Sequence, residues 1–266
     1  MKNDAKRVAV IGFGAMAQSL KDSLRGSGSG IEIAATLVPH DLTVTHDGVE
    51  VFHDIASLLA WGPSVVVECA SHEAVRNTVP PLLRAGIDVI VVSIGSLGDA
   101  DLLLSLETAA SAGGSRLTVA SGAIGGLDVL RSAKIAGLES VVYTGTKPPS
   151  AWNGTPAEQK VDLASLQDAT VIFEGNAAEA SRQYPKNANV TAAVALAGVG
   201  FENTKVTLVA DPHARGNTHK VNASGAFGKF EISLENKPLP DNPKTSWLAA
   251  LSVEQALHRH FQRIEL

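Results

Sequence analysis

Residues 8–17 read VAVIGFGAMA: a short β-rich run, two glycines one residue apart, and an alanine three residues on, where helical spacing begins. This G-x-G-x-x-A constrains the fold more than any other feature, because it is informative only as the turn between the first strand of a βαβ series and the helix that follows. Gly12 permits the tight turn, Gly14 lets backbone approach a pyrophosphate, and Ala17 allows close helix–strand packing. The helix N-terminus favours anionic phosphates. Gly12, Gly14, Ala15 and Met16 are therefore candidate cofactor-binding residues of a dinucleotide site.

The context suits the motif. Strand-like runs at 7–12, 31–38, 49–52, 64–70, 87–93 and 116–120 alternate with helical segments. Near-continuous Val/Ile runs such as SVVVECA are what parallel strands buried on both faces look like. The alternation implies right-handed crossovers and a Rossmann-type, doubly wound parallel α/β sheet. The pair Pro80–Pro81 is expected to break or kink the helix HEAVRNTVPPLLRAG. Ligands of such a sheet lie at the carboxyl ends of the strands, which adds Ala70 and Ser71 to the cofactor candidates.

After about residue 122 the texture changes. Strand candidates at 140–148, 169–175, 205–211, 219–225 and 228–236 mix with helical segments near 124–136, 176–183 and 187–199. The last three strands follow closely, as in an antiparallel meander. This reads as a second, α+β domain over 123–244, after a dinucleotide-binding domain over 1–122. The amphipathic helix 245–266 is expected to join the first domain.

Composition excludes several classes. The 266 residues are 45% hydrophobic and 18% charged, a globular profile rather than a disordered one. A net charge of −5 without a basic block gives no support for a nucleic-acid or anionic-membrane partner. No apolar run reaches transmembrane length and the first residues do not form a signal peptide, so a soluble, cytoplasmic protein is expected. The single cysteine, Cys69, sits in an apolar run and reads as a small buried hydrophobe. The histidines lack metal-site spacing, so no metal is expected.

The second strand ends TLVPHD, where Leu37, Val38 and Pro39 occupy the place of the carboxylate that takes the ribose hydroxyl in NAD-specific sites. No carboxylate repels a 2′-phosphate there and no arginine grips one, so use of either NAD or NADP is the inference. The stretch ADPHARGNTHKVNASG (210–225) then concentrates polar groups: His213 and His219, Asn217 and Asn222, Arg215 and Lys220. His213 follows the turn signal Asp211-Pro212, and His219 opens a strand candidate. The residues alone favour His219 only weakly.

The segments GFGAMA, VVVECASHEAV, SGAIGGLDVL, TGTKPP, NANVTAAVALAG, VADPHARGNTHKVNASGAFG and NPKTSWLAALSVEQAL resemble the L-aspartate dehydrogenase family. They run in order over nearly the whole chain. The resemblance implies NAD(P)-dependent oxidative deamination of L-aspartate to iminosuccinate, which hydrolyses to oxaloacetate and ammonia or feeds NAD biosynthesis, and a homodimer. It implies that His219 is the catalytic residue and that Ala123 and Asn189 contact the cofactor. The chemistry gives a reason for a histidine: the substrate amine must lose a proton before Cα gives up hydride, and histidine, at about 6.5, exchanges protons near neutral pH. The two substrate carboxylates call for cations or clustered donors. Lys147, Lys186, Arg215, Lys220 and Lys244 are candidates, with Lys147, Asn217 and Thr218 preferred. Two rivals are a dihydrodipicolinate-reductase-like enzyme, whose paired histidines and D-A-P-S-G-T segment are missing here, and a non-catalytic dinucleotide-binding sensor, which leaves the polar density of 210–225 unexplained.

Overall fold

The computed structural model describes residues 6–44, 48–239 and 242–264. The chain divides into two compact units, 1–120 with 250–266, and 121–249.

In the first unit the chain runs β1 (Arg7–Ile11), α1 (Ala15–Ser27), β2 (Glu32–Leu37), β3 (Glu50–Phe52), α2 (Ile55–Trp61), β4 (Val65–Glu68), α3 (His72–Arg84), β5 (Asp88–Val91), α4 (Ala100–Gly113) and β6 (Leu117–Val119). The strands form one parallel sheet in the order β3-β2-β1-β4-β5-β6. This is the doubly wound order, with its reversal between β1 and β4. Val65, Val66 and Val67 are all buried, as a strand covered on both faces requires. α1 lays Ala17, Leu20 and Leu24 on the sheet at helical spacing. The two leucines contribute about 1.5–3 kcal/mol each when fully buried.

Of the expected break or kink at the proline pair, the break does not occur. α3 runs unbroken through Pro80–Pro81. Two ladder N–H donors are missing there, but Val75, Val79, Pro80, Leu82 and Leu83 are all buried. The apolar area of that face offsets the local preference of proline.

The second unit runs α5 (Leu127–Ala136), β7 (Leu138–Lys147), β8 (Thr170–Asn176), α6 (Ala177–Gln183), α7 (Ala188–Ala197), β9 (Lys205–Ala210), β10 (Asn217–Gly225) and β11 (Gly228–Asn236), then the short pair β12 (Pro238–Leu239) and β13 (Asn242–Ser246). Its main sheet is ordered β11-β10-β7-β9-β8. β10 and β11 form an antiparallel hairpin, but β9 does not continue it: β7 lies between, antiparallel to β10 and parallel to β9. The expected meander is thus only its last hairpin. α7 is buried almost all round, as its composition of Ala and Val dictates. Trp152, Tyr184 and Phe173 form an edge-to-face cluster, with centroids 5.8 Å and 5.6 Å apart, and the Trp152 indole donates to the Val209 carbonyl at 3.2 Å. That cluster anchors the segment after β7.

α8 (Trp247–Phe261) closes the described chain. Its Val253, Ala256 and Leu257 are buried in the same cluster as Val8, Val10, Leu20 and Leu24.

Candidate active site

In the first unit the β1–α1 turn has the geometry the glycines predict. Gly12 has φ +82°, and a Cβ there would sit 2.8 Å from the Ala70 Cβ, so a side chain is excluded by both conformation and space. Gly14 is the N-cap of α1, with no side-chain cap, and a Cβ at Gly14 would meet nothing within 4 Å. Ala15 and Met16 form the first turn, whose N–H groups have no intrahelical partner. Open space in front of the N–H donors of a helix N-terminus fits a pyrophosphate.

Beside the turn lies a cleft of about 560 Å³ at the carboxyl ends of β1, β2 and β4. Gly12, Ala70 and Ser71 line it, together with Val38, His53 and Asp54. Its size is that of an ordinary small-ligand pocket. Gly14, Ala15 and Met16 are outside its lining.

The turn after β4 is held by a residue the sequence did not single out. Glu68 is fully buried, and its carboxylate accepts from the Ala70 and Ser71 N–H groups at 2.9 and 3.0 Å and from the Ser93 N–H and hydroxyl at 3.0 and 2.9 Å. Cys69 next to it packs against the core, and burial pushes its thiol up, which leaves it unreactive.

In the second unit, strand register gathers the polar groups. His219 is the third residue of β10 and pairs with Gly145 of β7. Side chains directly opposite share a face, so Lys147, two residues along β7, and Asn217, two residues back on β10, lie on the His219 face. Thr218, paired with Thr146, and Lys220 point to the opposite face, where Lys220 forms an ion pair with Glu231 at 2.9 Å. Thr218 and Lys220 therefore do not join His219. His213 is exposed, with Nε2 3.0 Å from the Gln167 carbonyl, and Arg215 is exposed too. The side chains of Lys186 and Lys244 lie outside the described part of the structure.

His219 is buried, and its Nδ1 is 2.8 Å from the Tyr143 hydroxyl. Gly145 makes this contact possible, since a Cβ there would stand 2.7 Å from the Tyr143 oxygen. Lys147 donates to Asn187 Oδ1, and its Nζ lies 5.5 Å from the centre of the Trp152 ring. Burial sets the ionisation of all three groups. It brings Lys147 down from 10.5 to about 8. It pushes the Tyr143 phenol well up, so the hydroxyl stays protonated. Burial first, then the Lys147 charge, depress His219 from 6.5 to about 3. The expectation that His219 changes charge near neutral pH is thus corrected: a desolvated imidazole beside a cation stays neutral there, and Lys147 is the group that titrates nearest neutrality.

Of the other two cofactor candidates in this unit, Ala123 is buried and its carbonyl accepts from Asn236 Nδ2 at 2.7 Å. Asn189 is exposed in the first turn of α7.

The pattern described as "Aspartate dehydrogenase, C-terminal" matches residues 128–260, and that described as "Homoserine dehydrogenase, NAD binding domain" matches 12–120. The chain is 46% identical over 270 residues to the L-aspartate dehydrogenase of Pseudomonas aeruginosa, an alignment covering 97% of this chain and 99% of that one. This chain belongs to the L-aspartate dehydrogenase family. The enzyme of that name from Cupriavidus necator is 44% identical over 94% of this chain and 96% of its own. The crystal structure of aspartate dehydrogenase from Thermotoga maritima superposes with a TM-score of 0.79 at 30% identity, covering 98% and 99% of the two chains. A dihydrodipicolinate reductase from Paenisporosarcina shares the fold alone, with a TM-score of 0.56 at 15% identity.

Within this family member, sequence reasoning had no handle on Tyr143, Asn187 or Glu68. Each owes its place to a contact across strands or between helix and strand. Tyr143 and His219 are 76 residues apart in sequence. The one available signal was alternation along β7, which puts Tyr143, Gly145 and Lys147 on one face.

Proposed function

We propose that this chain catalyses the NAD(P)-dependent oxidative deamination of L-aspartate to iminosuccinate, which hydrolyses to oxaloacetate and ammonia. One observation carries the assignment of roles: in a chain of this family, half-buried Lys147 and buried His219 share one sheet face and each has a neutral partner. A bound nicotinamide ring supplies the hydride acceptor for Cα. The turn at Gly12–Met16 and the cleft beside it would hold that coenzyme, through backbone donors rather than charged side chains.

Lys147, cationic below about 8, holds one substrate carboxylate, with Asn217 as a further donor on the same face. His219 exchanges the proton of the substrate nitrogen and later positions water for attack on the imine carbon. To receive a proton at Nε2 it donates Nδ1–H to the Tyr143 oxygen. The dicarboxylate itself prepares this step. Its negative charges raise the proton affinity of both Lys147 and His219, so His219 becomes a competent base only with substrate in place. Ala123 and Asn189 are cofactor contacts in this reading. We also infer, from the resemblance, a cytoplasmic homodimer whose product enters NAD biosynthesis.

The test is the absorbance of reduced coenzyme on adding L-aspartate, with L-glutamate, L-alanine and L-homoserine as controls. Turnover confined to L-aspartate is expected. Equal turnover of L-homoserine would move the assignment to the activity named for the first unit's pattern.

A further inference from the structure

The cleft of the first unit reaches the carboxyl end of β2, where dinucleotide folds tell NAD from NADP. Leu37, Val38 and Pro39 line it there and carry no charge, but the structure adds His53, from the turn after β3. His53 Nδ1 is 3.1 Å from the Val38 carbonyl. A carbonyl oxygen can only accept, so Nδ1 carries a hydrogen and donates it. The ring stacks on His40, with centroids 4.8 Å apart and planes 23° apart. With Nδ1 engaged, Nε2 is the nitrogen left to meet what enters the cleft.

We propose that His53, stacked on His40, reads the 2′ substituent of the adenosine ribose, accepting from the hydroxyl of NAD through a neutral Nε2 and donating to the phosphate of NADP through a protonated one. The proposal rests on the dinucleotide reading of this unit and deepens it. A carboxylate at this place would reject the 2′-phosphate and an arginine would favour it at every pH, whereas an imidazole serves both and changes its preference with its charge.

The surrounding charges set the balance. Among the described residues, Asp41 and Asp54 flank the pair in sequence, Glu73 lines the cleft from α3, and His40 is the stacked neighbour. The Asp54 carboxylate caps α2, accepting from the Ser57 N–H at 2.8 Å and its hydroxyl at 2.7 Å. The Ser57 bonds hold it below the usual carboxylate value, with a smaller contribution from His40, so it stays anionic. Asp54 and Glu73 oppose a bound 2′-phosphate, and a positive charge on the imidazole offsets them. Affinity for NADP should therefore fall as pH rises, while that for NAD stays level, because a ribose hydroxyl can donate to a neutral Nε2 or accept from a protonated one. A phosphate monoester takes up its own second proton near pH 6, so the useful window begins above about 6.5.

The experiment measures NADH and NADPH binding by nicotinamide fluorescence between about pH 6.5 and 8.5, for the wild-type chain and for His53→Gln. In the wild type, NADPH affinity relative to NADH should fall about tenfold across that range, the size of one hydrogen bond gained by a charged group. In His53→Gln, which can hydrogen-bond but not take a proton, the ratio should be flat. A flat wild-type ratio overturns the proposal and leaves the dinucleotide reading standing. So does a ratio that still changes with pH in His53→Gln. If that variant binds neither coenzyme, the wild-type ratio decides alone. A wild-type chain that binds neither coenzyme overturns the dinucleotide reading, and this proposal with it.

Discussion

Glu68 in the first unit and His219 in the second are buried and Lys147 beside His219 is half-buried, yet they are partnered very differently. The Glu68 carboxylate accepts four hydrogen bonds, from Ala70, Ser71 and both donors of Ser93. Among the described residues, Lys147 has the side-chain oxygen of Asn187, and His219 has the Tyr143 hydroxyl on one nitrogen. Saturated, a buried polar group fixes backbone; left under-partnered, it keeps hydrogen-bonding capacity that a ligand can use. In the proposed function the first unit would bind with backbone amides and the room left by absent side chains. The second would act with side chains whose chemistry is set by burial.

The largest effect should come from the under-partnered side. His219→Ala should lower kcat by about 10²–10⁴ while NADH binding, measured by fluorescence, stays close to wild type. His213→Ala should retain most activity, because His213 is exposed and its Nε2 meets the Gln167 carbonyl. A dead His213→Ala beside an active His219→Ala would transfer the role to the loop.

Lys147 comes next. Lys147→Met should lower kcat/KM for L-aspartate about ten- to hundredfold, the worth of a charge-assisted contact. The cation is lost as pH rises through about 8, so its contribution to kcat/KM falls through that value. Lys147→Arg keeps its charge throughout. The ratio of wild-type to Lys147→Arg kcat/KM, which cancels ionisation of the substrate amine, should therefore decline through about pH 8. A level ratio would mean that Lys147 is not the titrating group.

Glu68 should behave as structure. Glu68→Gln turns an NH₂ group toward donors and should destabilise the fold by about 1–3 kcal/mol in denaturant titration. Its pH profile of kcat/KM should keep the wild-type shape. A changed profile would dissolve the contrast between the two buried sites. The smallest expected change is at Gly14. Its N-cap conformation is open to any residue and its Cβ position is empty, so Gly14→Val should fold normally and bind NADH about tenfold more weakly. Unchanged affinity would remove the phosphate role.

These contrasts explain what could be read in advance. The first sheet was legible because each of its strands is a short apolar run and the glycine turn fixes which strand comes first. The continuity of α3 was not, since proline preference is local and the burial of Val79, Leu82 and Leu83 is tertiary. The order of the second sheet was hidden for a related reason. β7 pairs with both β9 and β10, and nothing in either strand's pattern names a partner so far along the chain. His219 could be placed on a strand, but its depressed proton affinity could not be foreseen, because it comes from burial and from a lysine on another strand. Likewise Lys147 was one of five candidate cations until register put it beside His219.

The placement of α8 bears on how the chain is made. Val253, Ala256 and Leu257 lie in the cluster that also holds Val8, Leu20 and Leu24. During synthesis, N-terminal regions fold first when they can. Here the sheet that emerges earliest keeps an apolar gap until the whole second unit, 121–249, has left the ribosome. The nascent first unit must carry that uncovered patch through translation of roughly half the protein, which exposes it to chaperones and to wrong partners for as long as the second unit takes to be made.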